Sequence, residues 1–264
     1  MKEIKVYRLT ILFLLFVIFL QWVFMAGRSK EKEGLRPLRK QPSAVFKGRI
    51  AIVIDDWAYN LNNIEMLDRI HVPLTCSVLP NLNYSQAAIE ELHSRNLETI
   101  LHLPLEPHEK YRLEKDTVMV SMDESEIKNI VERDLDSLKV IKGVSNHMGS
   151  LATEDVKTMD VIFSVLKKRN LYFLDSVVTS RSVCQGLAKK WGLRFAKRDV
   201  FLDNLEDPVY IKGQISKLKI KARRSGQAIG VGHDRRLTLE VLAEVIPELK
   251  KEGYKFVFVS ELVK

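Results

Sequence analysis

Two carboxylates, Asp55 and Asp56, stand side by side at the end of the apolar run Ile50-Ala51-Ile52-Val53-Ile54. Single polar residues close other apolar runs further along: His102 after ETIL, His147 after GVSN, Asp175 in FLDS and His233 in AIGVGH. Asp199 follows the run from Arg194. Two imidazoles and one carboxylate give a zinc-like ion three protein ligands and leave a position open for water and a substrate oxygen. Of an adjacent carboxylate pair, one can hold the ion while the other, turned the opposite way, handles a proton. Any one Asp or His after a strand is as readily a helix cap or a hydrogen-bond partner. The recurrence of all seven at the same kind of place points to one site. His71, His93 and His108 do not share that placement and read as loop or surface residues.

The elements that must bring them together are short β-branched runs separated by segments of helical period, the pattern of an α/β fold with a parallel sheet. The runs are 49–54, 74–79, 99–103, 143–146, 171–174, 194–196, 228–231 and 255–259. Several lack polar alternation, as strands covered on both faces should. Seven or eight such strands with intervening helices fit a barrel, whose carboxyl strand ends converge on one mouth. No glycine-rich phosphate loop follows the first strand, which argues against a nucleotide-binding fold. Asp123 with Glu126 reads as a capping box for a helix carrying Ile127, Ile130, Val131, Leu135 and Leu138. Thr153 is expected to cap a helix with Met159, Ile162 and Phe163 on one face. The last helix carries Leu239, Leu242, Ile246 and Leu249, with a kink expected at Pro247 and a stop at Gly253.

The chain has 264 residues, 46% of them hydrophobic, enough for one large core and an appendage. Its formal charge is +8, but no basic stripe is interleaved with aromatics, so a nucleic-acid partner is not expected. Cys76 and Cys184, the two cysteines, exclude a thiolate zinc site and read as buried thiols. From Leu9 to Ala26 no charge occurs, which is nearly the length of a membrane span. Lys2, Lys5 and Arg8 precede it, and bulky Val23, Phe24 and Met25 leave no small-residue cleavage site, so an uncleaved signal anchor is expected. The expected organisation is a transmembrane helix over 1–26, a charged linker over 27–47 and a folded domain over 48–264, displayed on the extracytoplasmic side.

The motifs IAIVIDDWAYN, SVLPN, LHLPLEP, GVSNHMGS, FLDS, RDVFLDN and GVGH, in that order, resemble the divergent polysaccharide deacetylases. The resemblance covers 48–264 and implies a distorted (β/α) barrel, a divalent metal with zinc foremost, and a polysaccharide or oligosaccharide substrate in the cell envelope. It implies a base at Asp55, a metal ligand at Asp56 and a general acid at His233. The superfamily's second motif carries two histidines four residues apart, whereas here His102 is followed at that spacing by Glu106. The remaining ligand is therefore expected at His147, with Glu106 as the alternative. Glu106, Asp175 and Asp199 are otherwise read as substrate contacts. Ala58 stands where glycine is common, Ser145 for an asparagine, Val177 for a basic residue and Asp234 for a proline. Ala58 is expected to need only a permitted backbone angle. The competing expectation is a carbohydrate-binding or scaffolding protein that keeps the barrel without turnover; phosphoester or peptide hydrolysis could use the same ligands.

Overall fold

The run ending in the carboxylate pair forms the longest strand, β1 (Gly48–Trp57), at the heart of a parallel sheet. The computed structural model describes residues 2–31 and 45–264, with backbone alone for 2–6, 9 and 28–31. The chain divides into two units, Met1–Ser43 and Ala44–Lys264. The first holds helix α1 (Lys2–Glu31), whose stretch Thr10–Gly27 is long and apolar enough to cross a membrane. The helix thus continues past Ala26, into the region expected as linker; most of that linker lies outside the described residues.

In the second unit, strands β2 (Thr75–Val78), β3 (Glu98–Leu105), β4 (Gly143–Met148), β5 (Tyr172–Asp175), β6 (Phe195–Lys197), β7 (Val200–Phe201), β8 (Gln227–His233) and β9 (Tyr254–Phe256) join β1. The order is β6-β5-β4-β3-β2-β1-β8-β7, and β9 pairs with the start of β1. All pairings are parallel, and the sheet curls into a half-barrel covered by helices. The helices are α2 (Ser85–Ser94), α3 (Glu124–Ser137), α4 (Val156–Lys168), α5 (Cys184–Trp191), α6 (Pro208–Ser225) and α7 (Arg236–Glu252).

Successive strand residues point to opposite faces, and the packing of the core follows that rule. Ile50, Ile52 and Ile54 belong to the large outer cluster under the helices, whereas Ala51 and Val53 meet Ile100, Leu174, Ile229 and Val231 in a second cluster inside the curl. The residues that continue the inner rows toward the carboxyl end are Asp55 on β1, His102 on β3 and His233 on β8.

β6 and β7 occupy opposite ends of the strand order, yet only Arg198 and Asp199 separate them. The segment pairs first with β5 (Phe173↔Phe195 to Asp175↔Lys197) and then with β8 (Val200↔Gly230, Phe201↔Val231). One stretch of chain is thus handed from one sheet edge to the other.

The capping box of α3 is present as expected, Asp123 accepting from the Glu126 amide and Glu126 from the Asp123 amide. The cap of α4 is not Thr153 but Asp155, which accepts from the Thr158 amide. Thr153 lies in a short 3-10 turn, and its hydroxyl donates to the Gly149 carbonyl instead. Helix α7 runs through Pro247 and stops at Gly253, whose φ is +102°. Both cysteines are buried free thiols.

Candidate metal centre

The inner rows deliver Asp55 and His102 to the mouth almost fully buried, and His147, on β4, is 7% exposed. Asp56 should point outward by alternation, but β1 loses register with β2 between Ile54 and Trp57, and Asp56 takes a φ of +68°. That bulge turns the second carboxylate inward. Asp56 Oδ1 lies 3.2 Å from His102 Nε2 and 3.1 Å from His147 Nδ1. The two rings meet edge to face at 5.0 Å. Ligand atoms of Asp56, His102 and His147 all lie within 4.8 Å of one another. Asp55 Oδ2 stands 3.8 Å from His102 Nε2.

This donor set fits a divalent cation. Asp55 Oδ1 and His147 Nε2 are buried without a hydrogen-bond partner among the described residues, an arrangement a bare protein interior penalises. The non-ligating edge of His102 is supported, since its Nδ1 meets Ser145 Oγ at 2.8 Å and that hydroxyl donates to Ser77 Oγ. Ser145, standing for an asparagine, still supplies a polar partner.

Burial pushes the Asp55 carboxyl up, against the opposing pull of His102 and the Ser77 hydroxyl. Burial also acts to raise Asp56, but its bonds to His102 and His147 outweigh this and hold it well below the usual carboxylate range. The two neighbours are driven apart, one toward proton acceptance and one toward permanent negative charge.

His233 sits beside Asp55 at the mouth, in register with it on the neighbouring strand. Its Nδ1 lies 2.9 Å from Oδ1 of Asp203, whose Oδ2 accepts from the His233 amide and the Thr238 hydroxyl. Asp203 is fully buried. Burial works against the His233 cation, but the bond to Asp203 prevails and raises its pKa; Asp203 is lowered in turn despite its own burial. Asp234 accepts from Asn63 Nδ2 at 2.9 Å, and burial lifts it to about 6, that bond opposing and the Asp56 charge adding to the rise.

The three expected substrate contacts each make bonds within the fold. Glu106 Oε2 accepts from the Val120 amide, and Glu106 is absent from the metal-ligand cluster, so the geometry favours His147 as the third donor. Asp175 is buried, accepting from the Val177 amide and the Ser182 hydroxyl, and so braces its own loop. Asp199 lies away from the mouth, its Oδ2 on the amide of Ile229 midway along β8 and its Oδ1 3.5 Å from Lys221. His71 is exposed; His108 is exposed and paired with Glu154; His93 is half-buried at the end of α2 against Thr99.

Two residues that the sequence reading passed over matter here. Asp203 falls in the RDVFLDN motif, where Asp199 drew attention, although 199, 201 and 203 share strand parity and only 203 reaches the carboxyl end. Arg198 donates to the carbonyls of Ser176 and Val177, lies over the Phe201 ring at 4.5 Å and feels the charges of Asp175 and Asp55. A guanidinium therefore reaches the loop where Val177 replaces a basic residue.

The mouth belongs to an α/β half-barrel protein with a carboxylate and two imidazoles gathered at its strand ends. Residues 52–263 match the family described as divergent polysaccharide deacetylase, and the chain belongs to that family. It is 32% identical over 207 residues to YibQ of Escherichia coli K12, described as uncharacterized; the match covers 78% of this chain and 65% of YibQ. A 48-residue stretch is 46% identical to a peptidoglycan-N-acetylglucosamine deacetylase of Bacillus cereus ATCC 14579, covering 17% of this chain and 22% of that protein. The crystal structure of ATU2773 from Agrobacterium tumefaciens C58 superposes with a TM-score of 0.79 at 24% identity, covering 84% of this chain and 91% of that one. That likeness concerns the fold.

Proposed function

We propose that this chain is a metal-dependent deacetylase of an envelope glycan, held at the membrane by α1 with its domain on the extracytoplasmic side. The observation that carries the reading is the convergence of Asp56, His102 and His147 beside a raised carboxyl, Asp55, with the half-buried His233 and its buried partner Asp203 adjoining. The Bacillus relative supports an acetylated sugar polymer as substrate. A divalent ion, zinc by its donors, would be held by those three residues and would polarise the acetyl carbonyl and acidify water. Asp55 takes the proton from the attacking water, a task suited to a carboxylate whose basicity burial has raised. His233, kept protonated by Asp203, gives a proton to the departing amine or alcohol. Arg198 positions the loop carrying Ser176 and Val177 at the rim.

The test is acetate release from N-acetylated oligosaccharides and from peptidoglycan by the full chain, with and without zinc. Release that chelation abolishes is expected; none from any envelope glycan with metal bound would overturn the enzymatic reading. The second reading, a binding or scaffolding protein without turnover, is favoured by one observation: Glu106 and Asp175, expected to hold a substrate in place for reaction, spend their carboxylates on backbone amides and a hydroxyl of the fold. Glycan binding without acetate release is its signature. Anchoring is checked by alkaline carbonate washing and N-terminal sequencing, which should find the protein retained and uncut near Gly27.

A further inference from the structure

Where the closing segment leaves β5 for β8, its lower half, β6, stands unpaired on the side facing β8. The C-terminal residue partly fills that side: the Phe195 amide donates to the Lys264 carbonyl at 2.9 Å, and the Lys264 amide donates back. Beneath remains a cavity of about 720 Å³, within the range of small-molecule sites. It opens by the early residues of β6 and β8, Phe195 and Gln227, away from the strand ends that form the mouth.

The cavity is chemically two-sided. Leu193, Phe195, Ile229 and Leu262 supply apolar walls, and Lys189, Arg194, Lys197, Lys221 and Lys264 contribute to its lining while remaining largely exposed. Against five cationic side chains stand one acidic side chain, Asp199, already taken by the Ile229 amide and Lys221, and the main-chain end of Lys264, held by the Phe195 amide. Lys189 and Lys264 have no ion pair or side-chain hydrogen bond among the described residues. An excess of cationic over acidic side chains raises the local concentration of anions. A free phosphate would leave the apolar walls unused, and a neutral lipid would leave the cations unused.

We propose that this cavity binds an anionic lipid, with the phosphate headgroup against Lys189 and Lys264 and the first part of an acyl chain along Phe195 and Ile229. The proposal is independent of the deacetylase reading, and its test uses no activity. The full chain is placed in nanodiscs containing a phosphatidic acid whose acyl chain bears a diazirine, or the matching phosphatidylcholine, then irradiated and mapped by mass spectrometry. Adducts between 193 and 196 or at Ile229 are expected with the phosphatidic acid, at least fivefold above the phosphatidylcholine. The double variant Lys189→Glu, Lys264→Glu reverses two exposed, unpaired charges, so the fold should persist, as circular dichroism can verify, while cavity labelling falls fivefold or more. Labelling confined to α1, equal labelling by both lipids, or indifference to the double variant would overturn the proposal.

Discussion

At the scale of single residues, the candidate centre separates holding a cation from handling a proton. Asp55→Asn keeps the shape of the side chain and removes its basicity. The variant is expected to retain one bound metal per chain by elemental analysis, while acetate release falls about a hundredfold or more. A second test concerns Asp203 and His233. His233 has its pKa raised above the ordinary 6.5, so its share of stability is complete below that value and is lost as pH rises through the folded pKa. Asp203 has its pKa lowered below 3.8, so its share is present above that value and lost as pH falls through the folded pKa. Asp203→Asn should therefore cost most stability between about pH 4 and 6.5, and the gap to wild type should narrow in alkali. The same variant should move the alkaline limb of the pH–rate profile to lower pH, which a merely structural role would not do. Placement at the ends of strand-like runs made Asp55, His102, His147 and His233 legible from sequence. It could not reveal Asp56 turning inward, because a bulge breaks the period, nor Asp203, because the strand before it changes partners.

Among the elements, β1 and the loop after it store the strain. Ala58 has a φ of +99° and is almost wholly buried, so the expectation of an ordinary permitted angle is corrected: this is a conformation that favours glycine. In an ordinary strand, alanine to glycine costs roughly 0.5–1 kcal/mol. Ala58→Gly should instead leave stability unchanged or raise it by up to about 1 kcal/mol in urea unfolding, the relief of strain offsetting the lost methyl. Val177, β-branched at φ +51°, is a second such position, held by its amide to Asp175 and its carbonyl to Arg198. Strain beside both carboxylate-bearing strand ends is the kind that persists where surrounding contacts over-determine it. The strands and the capping box of α3 were legible because periodicity and local capping chemistry are written in neighbouring residues. The cap of α4 was not, since Thr153 and Asp155 are both good caps and the buried Gly149 carbonyl, fixed by tertiary packing, decides between them.

For the molecule as a whole, a cation that binds only the folded state adds stability by mass action, about 2.7 kcal/mol when present at a hundredfold its dissociation constant. Thermal unfolding of the wild type should therefore shift upward with added zinc and fall on chelation. His102→Ala and Asp56→Ala should be less stable at the outset and insensitive to both treatments. A zinc response in either variant equal to that of wild type would displace the centre from these residues. The half-barrel itself was legible as alternating strands and helices, but its closure was not, because β7, Val200–Phe201, is only two residues long.

That closure has an arithmetic of its own. Arg198 and Asp199 occupy the two linking positions between β6 and β7, and they serve different ends of the curl: the guanidinium reaches the loop after β5 beside the mouth, the carboxylate the lower cavity. A strand shifted by one residue presents each side chain to the opposite face. Deleting a single residue here would do more than shorten a loop. With the start of β6 held in place, loss of Lys197 would move Arg198 into its position and Asp199 into that of Arg198, setting an anion beside Asp55 and Asp175 and taking the one acidic side chain away from the cavity. The identity of both regions is thus encoded in the parity of one short segment, a place where a frame of one residue carries the sign of two electric fields.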